Sequence, residues 1–237
     1  MKNRFILLSL VVVLVSCDKN QEQQNDERTQ QEIEIIKAPD PVFPLDEEEV
    51  EEQPPREYTF AEKLVQAALE RTTHDVVYDG SYLKIAYPMG DVPDSIGVCT
   101  DVVIRSYREL GLDLQQLVHE DLRKNFKLYP NQKRWGLSKP DTNIDHRRVP
   151  NLRVFFSRHG ESLPVTDKAS DYLPGDVVSW KINDKMVHIG IVSDQPAFFN
   201  PDRKMIIHNI GNGPELSDML FDYEITGHYR FDGIARK

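Results

Sequence analysis

One thiol and two imidazoles are the residues of this chain whose types and settings suit covalent chemistry. Cys99 lies in Gly97-Val98-Cys99-Thr100-Asp101, just after a loop and at the first turn of an expected helix. Backbone N–H groups and the helix dipole at such a turn favour the thiolate, which is the nucleophilic form. A free cysteine is also a common small buried hydrophobe, and position alone leaves both readings open. A nucleophilic thiol needs a base within hydrogen-bond reach and a third group that orients the base. His188 sits within the apolar run 186–192, and His208 within 205–210. An unpartnered imidazole is costly in such a place, so each should have a polar neighbour. The connection 193–204 can bring the two runs side by side as strands, and alternation then lets both histidines point to one face. The other five, His74, His119, His146, His159 and His228, fall in helix, loop or edge contexts.

The elements that position these groups follow from periodicity. Phe60, Leu64, Ala67, Ala68 and Arg71 recur at helical spacing and predict an amphipathic helix over 59–72. A loop or short-strand region follows, with Tyr78-Asp79-Gly80 and Tyr87-Pro88-Met89-Gly90-Asp91 as turns. Val102, Val103, Ser106, Tyr107 and Leu110 form the stripe of a helix over 99–111, stopped by Gly111, and a further helix is expected over 114–126. Residues 130–150 have no clear period and read as a long loop, while 151–159 fit a short helix or a strand. Beyond them, 176–180, 186–192, 205–209 and 227–231 are short β-branched or aromatic runs between turn residues. Helices first and an antiparallel sheet later define an α+β domain.

The chain has 237 residues and a formal charge of −10. That charge is concentrated: residues 18–57 hold 14 acidic and 4 basic side chains, whereas residues 58–237 carry a net of −2. A mean hydropathy of −0.52 excludes a polytopic membrane protein, and the acidic balance argues against general nucleic-acid binding. The chain opens with Lys2 and Arg4, an apolar run over 5–15 and Ser16-Cys17, the organisation of a secretory signal peptide and too short to span a bilayer comfortably. Leu14-Val15-Ser16-Cys17 resembles a bacterial lipobox, in which the cysteine is diacylated and becomes the first mature residue. An ordinary signal peptide with a chance cysteine is the alternative. The expected organisation is a signal peptide over 1–16, a lipidated acidic disordered tether over 17–57 and a folded domain over 58–237. Such a tether reaches about 35 Å as a flexible coil. The domain is then expected on the periplasmic side of the cell envelope, with the outer or inner membrane left open. With Cys17 committed to lipid, Cys99 is the sole remaining thiol and no disulfide can form within the chain.

The ordered set of Cys99 at a helix start, Leu173-Pro174-Gly175-Asp176-Val177-Val178, His188-Ile189-Gly190-Ile191-Val192 and Ile206-Ile207-His208 resembles the NlpC-type branch of papain-like cell-wall cysteine peptidases. More closely, residues 60–235 resemble domain-of-unknown-function family 1287, placed within that group. The resemblance implies a papain-like α+β fold with N-terminal helices packed on a C-terminal antiparallel sheet. It makes Cys99 the nucleophile, His188 the general base and later acid, and His208 the residue that orients His188. Thiolate attack on an amide carbon, loss of the amine and hydrolysis of a thioester would follow. The Cys99 N–H is the expected oxyanion donor, and an upstream tyrosine, Tyr87 first and Tyr82 second, the expected further polar contact.

This chain departs from the resemblance at Val98 and at Thr100-Asp101, where relatives commonly have Asp-Cys-Ser-Gly. A preference for stem peptides with a free N-terminal alanine is therefore not carried over. Asp101 is expected to stay on the helix surface or cap backbone amides, with substrate contact as the alternative. The expected activity is amidase or endopeptidase cleavage of peptidoglycan stem peptides, with no cofactor and no required metal. The rivals are cleavage of a different amide and a non-catalytic envelope binding or scaffold module. Cys99, His188, His208 and Asp101 could in principle hold a zinc ion, but they include neither a paired CxxC nor an HExxH. Arg147 and Arg148 match carboxylates in geometry but read more simply as a solvated loop face, and Gly175-Asp176 as a turn leading into a strand.

Overall fold

The computed structural model describes residues 56–234. The expected signal peptide, the lipidation site Cys17 and all but the last two tether residues lie outside the described residues. Helix α1 (Phe60–Arg71) starts at a reciprocal cap: Glu62 N–H donates to the Thr59 hydroxyl at 3.3 Å and Thr59 N–H donates to the Glu62 carboxylate at 2.9 Å. It buries Leu64, Val65, Ala67 and Ala68, the expected apolar stripe. Helix α2 (Cys99–Glu109) ends at Leu110 before Gly111, whose φ of +81° suits glycine. Helix α3 (Leu114–Lys124) is capped by Asp113, which accepts the Gln115 N–H at 3.0 Å.

The expected loop over 130–150 is more ordered than its lack of period implied. It contains the short helix α4 (Asn131–Trp135) and a 3-10 turn, Asp145–Arg147. What orders it is a buried carboxylate: Asp145 accepts from Asn131 Nδ2 at 2.8 Å, Asp141 N–H at 2.6 Å and Arg148 at 2.9 Å. Polar bonds of this kind leave no hydrophobic periodicity to read. Residues 149–159 are a helix, α5 (Val149–His159), with Pro150 in its first turn, where no N–H is needed.

Two short strands, β1 (Val77–Tyr78) and β2 (Ile96–Gly97), pair in parallel ahead of α2. The main sheet has six strands: β3 (Glu161–Ser162), β4 (Val177–Lys181), β5 (Val187–Ala197), β6 (Asn200–His208), β7 (Glu215–Ser217) and β8 (Glu224–Arg230). Their order is β3-β8-β4-β5-β6-β7, and every pair is antiparallel. The β5–β6 hairpin runs farther than its apolar stretches, because its outer half is exposed and carries no alternation.

Alternation along β5 and β6 divides the interior between the two faces of the sheet. Ile189, Ile191 and Ile207 face the helices in a core that also holds Cys99, Val103, Tyr107 and Phe156. Val178, Trp180, Val192 and Ile206 face the other way, against Tyr172, Met219 and Leu220. Each large apolar side chain so buried contributes about 1.5–3 kcal/mol of transfer free energy. Asp176 bridges β4 and β8 from within, accepting from His228 Nε2 at 2.8 Å and from Arg230 at 2.7 and 2.9 Å. Burial alone would raise its pKa, but these donors hold it below the ordinary carboxylate range. His228 therefore occupies an interior strand and is part of the fold.

Candidate active site

Cys99 opens α2 and is only 4% exposed. The backbone N–H groups of Ile189, Thr100 and Cys99 itself lie near enough to the sulfur to favour its thiolate form. The helix start was expected to favour the thiolate, and the structure corrects this. Burial is the largest influence and pushes the thiol up to about 12; the Asp101 charge adds to it, and the three N–H donors offset it only in part. Val98 has no side chain that can cap, so the Asp101 carboxylate takes the Val98 N–H at 2.7 Å and lies against the same turn as the thiol. Arg147 neutralises it with two bonds of 2.9 Å. Asp101 is thus the capping residue, 2% exposed and fully engaged. Arg147, read from sequence as solvated, is buried, and its carboxylate partner is within the chain.

His188 and His208 project from the same face, as the hairpin register requires. His188 Nε2 and His208 Nδ1 are 3.1 Å apart with the rings perpendicular, and His208 Nε2 lies 2.6 Å from the Ser217 hydroxyl on β7. Glu215 Oε1 is 3.8 Å from the same Nε2. Burial, with the neighbouring His208 as a second cause, brings His188 down to about 3; burial brings His208 down to about 4. Both rings are neutral at pH 7, so one proton is shared in each contact and the relay has a direction. If His208 keeps its proton on Nε2 and donates to Ser217, its Nδ1 accepts from His188 Nε2–H and the His188 Nδ1 lone pair is free to act as a base. If Ser217 donates instead, His188 is left protonated at Nδ1 and loses that capacity. The Glu215 carboxylate favours a proton on His208 Nε2, and so the first arrangement.

Trp180 faces His188 across the β4–β5 register, which places the imidazoles on the sheet face opposite the Cys99 core. The thiol reaches β5 at the Ile189 N–H, one residue from His188. Among the hydrogen bonds of the described residues none joins Cys99 to His188, and the β5 backbone at Ile189 stands between them. Gly190 permits tight strand packing beside them, because a Cβ there would lie 2.7 Å from Ile206 Cγ2 and 2.9 Å from the Ile207 carbonyl.

The tyrosine beside the thiol is neither of the two expected. Tyr82 donates to Asp141 at 3.0 Å and accepts from Asn143 at 3.0 Å, and Tyr87 packs edge-on against His119 of α3. Tyr78 is the one whose hydroxyl lies against the Cys99 sulfur, and burial followed by the Cys99 charge raises it to about 12. Tyr78 is 42% exposed, so it is the thiol's solvent-facing neighbour. Arg147 also donates to the carbonyls of Asp79 and Ser81 at 3.3 Å, tying the turn after Tyr78 to Asp101. Sequence reasoning missed Tyr78, Ser217, Glu215 and the buried role of Arg147. The one available signal was the expected short-strand region around Tyr78, which the turn reading of 78–80 obscured.

The family described as "Domain of unknown function (DUF1287)" matches residues 65–231, a span that includes every residue of this site. The chain belongs to the DUF1287 family. A relative, the uncharacterized protein YijF of Escherichia coli (strain K12), is 47% identical over 168 residues, covering 71% of this chain and 80% of YijF. No solved structure matches. For this DUF1287 protein the fold stands as α+β with an antiparallel sheet.

Proposed function

We propose that this DUF1287 protein is a cysteine amidase or endopeptidase that cleaves peptidoglycan stem peptides, built on a papain-like NlpC-type arrangement. In this reading it acts from the periplasmic side of the envelope, held to a membrane by lipid on Cys17. The observation that supports it is the ordered contact set Ser217–His208–His188, which ends one residue from the backbone amide that meets the Cys99 sulfur.

The neutral resting state sets the order of events. The protonated thiol cannot attack, so in this reading the start of β5 reorients to bring His188 to the helix side of the sheet, where its Nδ1 takes the Cys99 proton as the sulfur bonds to the amide carbon. His208 and Ser217 hold the resulting imidazolium in place through the Nε2–H. The Cys99 N–H and the Tyr78 hydroxyl stand beside the sulfur as donors for the developing oxyanion. Collapse breaks the C–N bond, and His188 returns its proton to the leaving amine. Water, deprotonated by His188, then hydrolyses the thioester to a carboxylate and the free thiol.

Incubating the purified chain with sacculi and weighing the released fragments by mass spectrometry tests this reading. Stem-peptide fragments should appear with the wild type and vanish with Cys99→Ala; equal release by both proteins would remove the catalytic claim. Fragment masses separate a stem-peptide bond from the amide between muramic acid and alanine, and absence of both points to a different amide. The burial of Cys99 favours a second reading, a non-catalytic envelope module that retains the fold; it predicts sacculus binding without release.

A further inference from the structure

We infer a second binding site, for an acidic glycan strand, in the groove between α4 and α5. The groove measures about 760 Å³, and its lining includes Lys127, Lys133, Arg134, Arg153 and Arg158 but no carboxylate. The charge behind it is strongly segregated. Residues 122–160 hold 10 basic and 2 acidic side chains, a net of +8, inside a domain whose net over 58–237 is −2. A concave surface of one sign concentrates field lines and raises the local concentration of the opposite charge.

The cations are not equally committed. Arg158 is held by Asp121 at 2.7 and 3.0 Å. Arg153 binds only neutral acceptors, the Thr226 carbonyl at 2.5 Å and the Tyr229 hydroxyl at 3.5 Å. Lys127, Lys133 and Arg134 are exposed along the α4 side. Between the two rows the groove has an apolar floor that includes Pro130, Val154 and Tyr229. This combination selects the ligand class. A flat bilayer does not fit a concave groove, whereas an extended strand does. Its carboxylates or phosphates meet the flanking cations, guanidinium forks best of all, and its sugar rings lie on the apolar floor. The site uses none of the residues around Cys99, so it holds whether or not the chain is a hydrolase.

Titrating the full chain with polygalacturonate, a carboxylate-bearing glycan, against neutral dextran tests the inference. Polygalacturonate should bind and dextran should not, and the affinity should fall several-fold between about 50 and about 200 mM salt as screening grows. Replacing Lys127, Lys133 and Arg134 together by Glu should weaken binding by about tenfold or more, as loss and reversal of three contacts in a focused field would. The triple Gln variant, with its Tm compared to wild type, guards against misfolding and should show an intermediate loss. Unchanged affinity in a folded triple variant, equal binding of dextran, or tighter binding to phosphatidylglycerol vesicles or a DNA duplex than to polygalacturonate would overturn the assignment.

Discussion

The two regions that meet at Cys99 handle buried polarity in opposite ways. On the helix side, Asp101 and Arg147 form a nearly inaccessible ion pair joined by two bonds of 2.9 Å. On the sheet side, His188, His208 and Ser217 are linked by hydrogen bonds with no formal charge at neutral pH, because burial brings both imidazoles well below their ordinary range. A buried ion pair is costly to break and so fixes geometry, whereas a neutral hydrogen-bonded chain leaves no uncompensated charge when one member is replaced. The helix side is built to hold the thiol in place; in the proposed function, the sheet side changes its protonation.

Removing one member of the ion pair gives the largest expected effect. Arg147→Ala leaves Asp101 buried and uncompensated, a loss of about 3–5 kcal/mol in denaturant unfolding. The same change frees the Asp79 and Ser81 carbonyls, so the turn after Tyr78 should loosen. Arg147→Lys should recover only part of the loss, since an ammonium cannot reproduce the two-pronged contact. Full stability in Arg147→Ala would erase the distinction between the two regions.

His188→Gln probes the other side. It keeps a polar side chain of similar reach but no titratable base, so release of muropeptides should fall by about 10²–10⁴-fold, with a much smaller change in Tm than Arg147→Ala produces. A variant that unfolds as readily as Arg147→Ala while retaining turnover would assign His188 to the fold.

Acid stability tests the buried imidazoles of both regions. His146, His188 and His208 are brought by burial to about 3, 3 and 4 in the folded chain, against about 6.5 when unfolded. The unfolded chain therefore binds these protons first. The stabilisation is complete above about pH 6.5 and declines as pH falls toward the folded values. Carboxylates with lowered values, such as Asp176, lose their contribution only below their unfolded value of about 3.9. Calorimetry should show Tm already falling between pH 6.5 and 4.5, and a flat Tm across that window would mean that the imidazoles are not desolvated as described.

How much of this was legible in the sequence depended on what carried the information. The stripes of α1 and α2 were visible because apolar spacing reports which face is buried. The shared face of His188 and His208 was visible because each sits in an apolar run and strand alternation is rigid. Residues 130–150 were opaque because Asp145, by hydrogen bonding, holds them rather than a hydrophobic pattern. The three-residue strand β7 was too short for alternation, which hid Ser217 and Glu215. Tyr78 reaches Cys99 only through the pairing of β1 with β2, a contact between segments that the sequence does not order. The thiol's raised pKa was the plainest reversal: a helix start is a local feature, whereas burial against Ile189 and the capping role of Asp101 are tertiary ones.

The smallest expected effect falls on the far end of the relay. Ser217→Ala removes the acceptor for His208 Nε2–H while leaving both imidazoles and the thiol in place. Groups that orient a functional side chain through one intermediate typically matter by about 10–100-fold, so turnover should drop toward the lower end of that range and Tm should scarcely move. Loss of activity alone would not distinguish a relay from a local packing defect, so the ring nitrogens must be read directly. In wild type, nitrogen-15 NMR should report the proton of His188 on Nε2; in Ser217→Ala the population protonated at Nδ1 should grow, and Ser217→Thr, which restores the hydroxyl, should reverse the shift. Glu215→Gln should move the tautomers in the same direction by less, because its carboxylate is 3.8 Å away and partly solvated. If the tautomer of His188 is the same in all four proteins, the direction of the relay is set elsewhere and the sheet side loses the property that distinguishes it from the ion pair.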